Sequence, residues 1–242
     1  MKLRASVLTK PGGREKNEDY AAYAERRGCA CFLVADGLGG HRGGELASKT
    51  ACESVLEAFQ NRPGVSVDHL NSYLKHASRA MSALRIKTGL KDSLKTTLVI
   101  LVIEKKSAIW AHIGDSRLYY FNSGRLAFQT KDHSLPQRMV DIGEITFDQI
   151  RFHEDRNRLI SVFEGEDVSR FTLLGEPVPI NEGDAFLLCS DGFWDYVYET
   201  EMEYHLQRSR TPAGWISRLE DILLERAEGK YDNYTALAVI TR

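Results

Sequence analysis

The chain has 242 residues, 43% hydrophobic and 27% charged, a globular composition that can bury a sizeable core. Its 32 basic and 34 acidic residues leave a formal charge of −2, which argues against bulk electrostatic attraction to nucleic acid or to an anionic membrane surface. No apolar run approaches the ~18 residues of a membrane span, the N-terminus lacks a signal-peptide core, and four irregularly spaced cysteines make neither a disulfide framework nor a zinc pattern, so a cytoplasmic monomer with reduced, buried thiols is expected.

In chain order, apolar runs rich in β-branched and aromatic residues predict strands at 3–8, 20–24 and 30–35. Two helical patterns follow. Residues 43–60 place Ala47, Ala51, Val55 and Ala58 on one face, and residues 67–85 do the same for Val67, Leu70, Leu74, Ala77, Met81 and Leu84. Strands are predicted again at 96–103, 107–113 and 117–121. Residues 131–170 are charged and lack a long periodic run, which predicts a surface excursion able to shape substrate access. Strands at 171–174 and 184–189 come next, then a helix over 212–228, with Thr211 as N-cap, Pro212 at the first position and Ile216, Leu219 and Leu223 together. A strand at 235–241 ends the pattern. Two long helices follow three strands, and later strands run in hairpin-like succession; this favours antiparallel sheets with segregated helices, a layered α+β sandwich, over a βαβ fold. With no repeat or Pro/Ser-rich linker, one domain over 1–242 is expected.

Acids sit where these strands end. In VADGLGGHRGGELAS (34–48) an apolar strand stops at Asp36, and Gly37, Gly39 and Gly40 clear side chains for a carbonyl or ligand to approach. An ordinary Asp-Gly turn fits that segment equally well. FLLCSDGFWD (186–195) repeats the arrangement with Asp191 and Gly192; Asp232 and Asn233 precede the last strand, and Asp115 occupies a tight link between strands. Clustered aspartates repel unless a cation neutralises them, and hard Mg²⁺ or Mn²⁺ prefers oxygen ligands. Before the second strand, GGREKNEDY offers Arg14, Glu18 and Asp19; the guanidinium can grip phosphate in bidentate fashion, the plain alternative being a surface salt bridge between Arg14 and Glu18.

Together these segments resemble the metal-dependent serine/threonine protein phosphatases of the PP2C (PPM) family, compact bacterial branch. Nearly the whole chain takes part, with elements in family order: R-x-x-N-E-D at 14–19, D-G-L-G-G-H at 36–41, G-E-x-A-S at 44–48, T-T at 96–97, G-D-S-R at 114–117, K-D-H-S at 131–134, S-D-G at 190–192 and D-N-Y-T at 232–235. Each match is weak alone, and the ordered set is specific. The resemblance implies a four-layer α-β-β-α sandwich, two packed antiparallel sheets flanked by helices, with a centre for two Mn²⁺ or Mg²⁺ ions and a possible third at one end. By motif position, Asp36 would bridge two ions, the Gly37 carbonyl would bind one, and Asp191 and Asp232 would complete the other. Glu18 and Asp19 would bind or orient metal-bound water, Asp115 with Asp191 would form the third site, and Arg14 would bind phosphate.

The reaction so implied is hydrolysis of phosphoserine or phosphothreonine by a metal-bridging water, opposing a bacterial Ser/Thr kinase; compact members also accompany kinases governing type VI secretion. Animal-type relatives carry a histidine assigned as proton donor straight after the Asp-Gly pair, where this chain has Leu38. His41 is expected to order the glycine loop instead, and Cys189, Phe193, Trp194 and His133 to support the structure. The segment from Ser134, about 134–170, corresponds to the flap of bacterial members. Two other classes remain in view: a pseudophosphatase binding module, which missing aspartates would favour, and a phosphatase of a small phosphorylated molecule.

Overall fold

Seven consecutive buried apolar residues, Cys29–Ala35, make a strand covered on both faces. Alternate side chains divide between two cores: Cys29, Cys31, Leu33 and Ala35 pack towards helices, while Ala30, Phe32 and Val34 pack towards a second sheet. The computed structural model describes residues 1–39, 43–90, 93–165, 167–229 and 231–242. This strand, β3, lies in a sheet of order β10 (Thr172–Leu173), β7 (Ser107–Ile113), β6 (Leu98–Glu104), β3, β2 (Tyr20–Arg26), with β11 (Val178–Pro179) also on β7. The facing sheet runs β1 (Leu3–Lys10), β13 (Tyr234–Thr241), β12 (Ala185–Cys189), β8 (Arg117–Asn122), β9 (Arg125–Gln129). Every pairing in both is antiparallel. A two-residue pair, β4 (Gly37–Leu38) with β5 (Lys95–Thr96), stands apart.

Helices cover the outer faces. α1 (Gly43–Asn61) and α2 (Val67–Thr88) bury Ala47, Ala51, Val55, Leu70, Leu74, Ala77 and Met81 against the β3 sheet, as their spacing predicts. Ser66 caps α2 by accepting the His69 N–H, and Gly89, at φ +70°, ends it in the left-handed conformation. α6 (Pro212–Arg226) starts on the Thr211 cap and, with the short α4 (Asp191–Trp194) and α5 (Glu199–Gln207), covers the β13 sheet through Trp194, Met202, Trp215, Leu219 and Leu223. Between the sheets Phe32, Leu101, Phe186, Leu188 and Leu237 are fully buried, each contributing roughly 1.5–3 kcal/mol. The predicted α-β-β-α layering is therefore present. No helix among the described residues is long and apolar enough to cross a membrane.

Residues 131–170 carry α3 (Leu135–Asp141), capped by Ser134, and a 3₁₀ turn at Phe147–Phe152. α3 buries only Pro136 and Gln137, and the turn only Ile150, which is why no periodic run announced either. The segment is tied back through the Ser134–Leu159 bridge and by Ile160 N–H donating to the His133 carbonyl.

Candidate metal centre

Strand register gathers the acids. β2 sets Tyr20 opposite Ala35, so Asp19 and Asp36 leave one sheet side by side. In the other sheet Cys189 stands opposite both Ala236 and Arg117, which brings the turns bearing Asp191, Asp232 and Asp115 to one end. Glu18, Asp36, Asp115, Asp191 and Asp232, with Arg14 and Gly37, line a single cavity of about 250 Å³. Asp19 lies buried, within electrostatic reach of Asp36.

The remaining motif residues hold this arrangement. Thr97 Oγ1 accepts the Asp36 N–H at 2.9 Å, and Thr97 N–H (2.8 Å) and Thr96 Oγ1 (2.7 Å) both donate to the Asp36 carbonyl, so the T-T pair clamps the backbone of Asp36 on both sides. Ser190 Oγ donates to Asp19 Oδ2 at 2.6 Å and accepts the Thr235 N–H. Asn233 accepts the Glu18 N–H and donates to the carbonyls of Pro11 and Lys16, each at 2.8 Å, stapling the Arg14 segment to the last turn. His133 Nδ1 accepts the Gly114 N–H, its Nε2 meets Thr172 Oγ1, and its ring stacks on His112; burial pulls its pKa down to about 4, so it supports the Asp115 loop as a neutral ring. Gly37 sits where a Cβ would come 2.3 Å from Gly44 backbone, and Gly192 where one would come 2.0 Å from the Asn233 carbonyl.

Burial, and after it the charges of Asp19, Asp191, Asp115 and Asp232, push the Asp36 carboxyl well above the ordinary range. Burial followed by Asp115 does the same to Asp191. Burial raises Asp19 to about 6, and burial and then Asp132 raise Asp115 to about 7. Glu18 is raised by burial and then by Asp232. Asp19 Oδ1 is buried with no hydrogen-bond partner, and so is Oδ1 of Asp195, whose other oxygen meets Arg156 at 3.3 Å. Crowded carboxylates and two orphaned acceptors fit a hard divalent cation, which would neutralise the one and satisfy the other. Among the described residues no three His, Cys, Asp or Glu side chains are closed up as a ready-made ligand cluster; the acids ring a cavity.

Arg14 pairs with Asp232 at 2.8 Å rather than with Glu18, both partners being about half exposed. The position of His41 and that of Gly40 lie outside the described residues. Cys189, Phe193 and Trp194 are buried, and Trp194 Nε1 donates to the Asp115 carbonyl behind the cavity. The sequence did not single out the roles of Thr97, Ser190 and Asn233, or Asp195 and the flap residue Asn157, which also lines the cavity. Thr97, Ser190 and Asn233 do fall inside the matched motifs, the one signal available for them.

A two-sheet sandwich with an acid-lined cavity where strands from both sheets end defines a metal-dependent hydrolase. Residues 13–224 match the family described as protein phosphatase 2C, and the chain belongs to that family. It is similar to the serine/threonine phosphatase stp of Listeria monocytogenes, 31% identical over 237 residues, 93% of this chain and 90% of that protein. The crystal structure of the Mycobacterium tuberculosis serine/threonine phosphatase PstP superposes with a TM-score of 0.87 at 30% identity, covering 99% of both chains. A second, of the PstP catalytic domain in complex with two manganese ions, gives 0.84 at 29% identity over 98% and 97% of the chains. The protein is thus a metal-dependent phosphatase of bacterial type acting on phosphoserine and phosphothreonine in proteins.

Proposed function

We propose that Asp36, Asp191 and Asp232, with the Gly37 carbonyl, are the ligands of two Mn²⁺ or Mg²⁺ ions, that Glu18 and Asp19 bind or orient the water around them, and that Asp115 with Asp191 forms a weaker third site. The observation that carries this reading is the convergence of five carboxylates from five separate stretches of chain on one cavity beside Arg14. The manganese complex of PstP supports the choice of ion. When bound, the cations supply Lewis acidity at phosphoryl oxygens and bring the pKa of water towards neutrality.

The chain's own groups do the rest. Arg14, its guanidinium held at the cavity by Asp232, receives the phosphate and stabilises charge on its equatorial oxygens. The described lining residues include no Ser, Thr, Cys or His, and the carboxylates that remain as nucleophiles are the groups assigned to the cations, which favours hydrolysis by water in one displacement. Leu38 lines the cavity where animal relatives carry a histidine, so the proton for the leaving oxygen comes from water. The enzyme reverses a bacterial Ser/Thr kinase in the cytoplasm, a compartment that suits its four buried free thiols. The test is hydrolysis of a phosphothreonine peptide with Mn²⁺, with chelator, and by Asp36→Asn and Asp191→Asn. Chelator and either substitution should remove turnover while the circular dichroism spectrum stays native; turnover that survives chelation refutes the assignment.

A further inference from the structure

Among the described residues, the catalytic cavity offers few side-chain groups that can donate a hydrogen bond to a phosphate. Five of its lining side chains, Glu18, Asp36, Asp115, Asp191 and Asp232, only accept when ionised, and Leu38, Leu159 and the glycines offer no side-chain polar atom. Among the described residues, three lining side chains carry N–H donors: Arg14, Asn233 and Asn157. Asn233 spends both amide hydrogens on the Pro11 and Lys16 carbonyls, so it is committed to structure. Arg14 spends one Nη2 hydrogen on Asp232. Asn157 is exposed and hydrogen-bonds to none of the described residues, although its neighbours in the flap are engaged: Arg156 with Asp195, Arg158 N–H with the Asp155 carbonyl and the Arg158 carbonyl with Leu135 N–H.

From this donor inventory we propose that Asn157 is a substrate-binding residue, its amide donating from the flap to an oxygen of the phosphate ester held at Arg14. An amide suits the place. A second cation there would pair with the surrounding carboxylates, as Arg14 already does, and a further acid would repel a phosphate dianion. The neutral –NH₂ adds two donors without altering the charge balance on which the cation site depends. It cannot surrender a proton at neutral pH, so Asn157 orients the ester and is not the acid that Leu38 leaves wanting. Because Asn157 belongs to the excursion between Ser134 and Ile160, the contact also links phosphate binding to the position of the flap. The inference rests on the metal-centre reading proposed above.

The test compares Asn157→Ala, Asn157→Asp and Asp191→Asn in the full chain with Mn²⁺. Readouts are kcat and KM on a phosphothreonine peptide, competitive inhibition by inorganic phosphate, and Mn²⁺ affinity by calorimetry. Loss of a hydrogen bond to a charged group should raise KM and the inhibition constant of phosphate together by about tenfold in Asn157→Ala, with Mn²⁺ affinity unchanged. Asn157→Asp should weaken phosphate binding further. KM and phosphate inhibition equal to the parent in Asn157→Ala, with Asp191→Asn inactive, overturn the role of Asn157 alone. An active Asp191→Asn overturns the metal-centre reading and this inference with it. Weaker Mn²⁺ binding in Asn157→Ala assigns the residue to the cation site and also overturns the proposal.

Discussion

Replacing Asn233 by alanine should loosen the catalytic end of the molecule without touching any group proposed to meet substrate. The residue is 6% exposed, and its side chain makes three hydrogen bonds of 2.8 Å, to Glu18 N–H and to the carbonyls of Pro11 and Lys16. At a net value of about 1 kcal/mol each, removing them costs about 3 kcal/mol. For a chain of this size, with about 2–4 °C per kcal/mol, the melting temperature falls by about 6–12 °C. Asn233→Asp is the sharper probe. It is isosteric and keeps the acceptor for Glu18 N–H, yet it turns two donors into a carboxylate oxygen facing two carbonyls, so it should be at least as damaging as alanine. Urea unfolding of both variants in chelator isolates this effect from stabilisation by bound metal. Freed from the staple, the Arg14 segment should also bind phosphate less well, so KM rises more than kcat falls. An Asn233→Asp protein as stable as the parent, or an Asn233→Ala protein within about 0.5 kcal/mol of it, refutes the reasoning, since surface changes away from such contacts stay within that range.

Three further outcomes are expected. In chelator, stability should fall as pH rises from about 4 to about 7. The folded carboxyls of Asp19 and Asp115 are raised from 3.8 to about 6 and about 7, so the native state holds protons that the unfolded chain has shed, and that advantage disappears as pH climbs through the raised values. Asp115→Asn should flatten the fall in pH-dependent melts, and a chelated protein that grows steadily more stable over this range contradicts the account. Arg117→Ala strands a buried partner: Arg117 and Asp132 are both 2% exposed and bidentate at 2.8 and 2.7 Å, with the guanidinium 3.4 Å from the Trp194 ring centre, so a loss of about 3–5 kcal/mol is expected in denaturant titrations, where less than 1 would count against it. All four cysteines are buried, and burial raises the thiols of Cys31, Cys52 and Cys189, so a thiol reagent should modify them together and only on unfolding; rapid labelling of the native protein would contradict this.

Much of the sandwich is legible in the sequence because its inner strands are buried on both faces. β3, β6 and β7 read as near-continuous apolar runs, and α1, α2 and α6 as apolar stripes at helical spacing. The elements without such a signature are half exposed. β9 has no fully buried residue, and α5 buries only Met202 and Leu206. The acids could be found because each lies beside a strand end within a short motif. Their supports could not be assigned, since a hydroxyl or amide does not reveal a partner far along the chain: Thr97 reaches Asp36 across 61 positions, Ser190 reaches Asp19 across 171 and Asn233 reaches Glu18 across 215. The pairing of Arg14 shows the same limit. The plain alternative that spacing offers for it is a salt bridge to Glu18, but Asn233 ties down the Glu18 peptide, and the D-N-Y-T turn brings Asp232 to the guanidinium instead.

Those separations set when the cavity can exist. Arg14 and Glu18 reach their places only through Asp232 and Asn233, so during synthesis the first half of the site waits for more than two hundred further residues. At about 5–20 residues per second that delay is roughly 10–40 s. Until then the early acids have neither their neighbours nor an enclosed cavity, and on the proposed ligand set a nascent or truncated chain should neither capture the cations tightly nor strip phosphate from the proteins around it. On the proposed ligand set, metal retention therefore reports synthesis through Asp232 and Asn233, which sets the earliest moment at which the phosphatase can act.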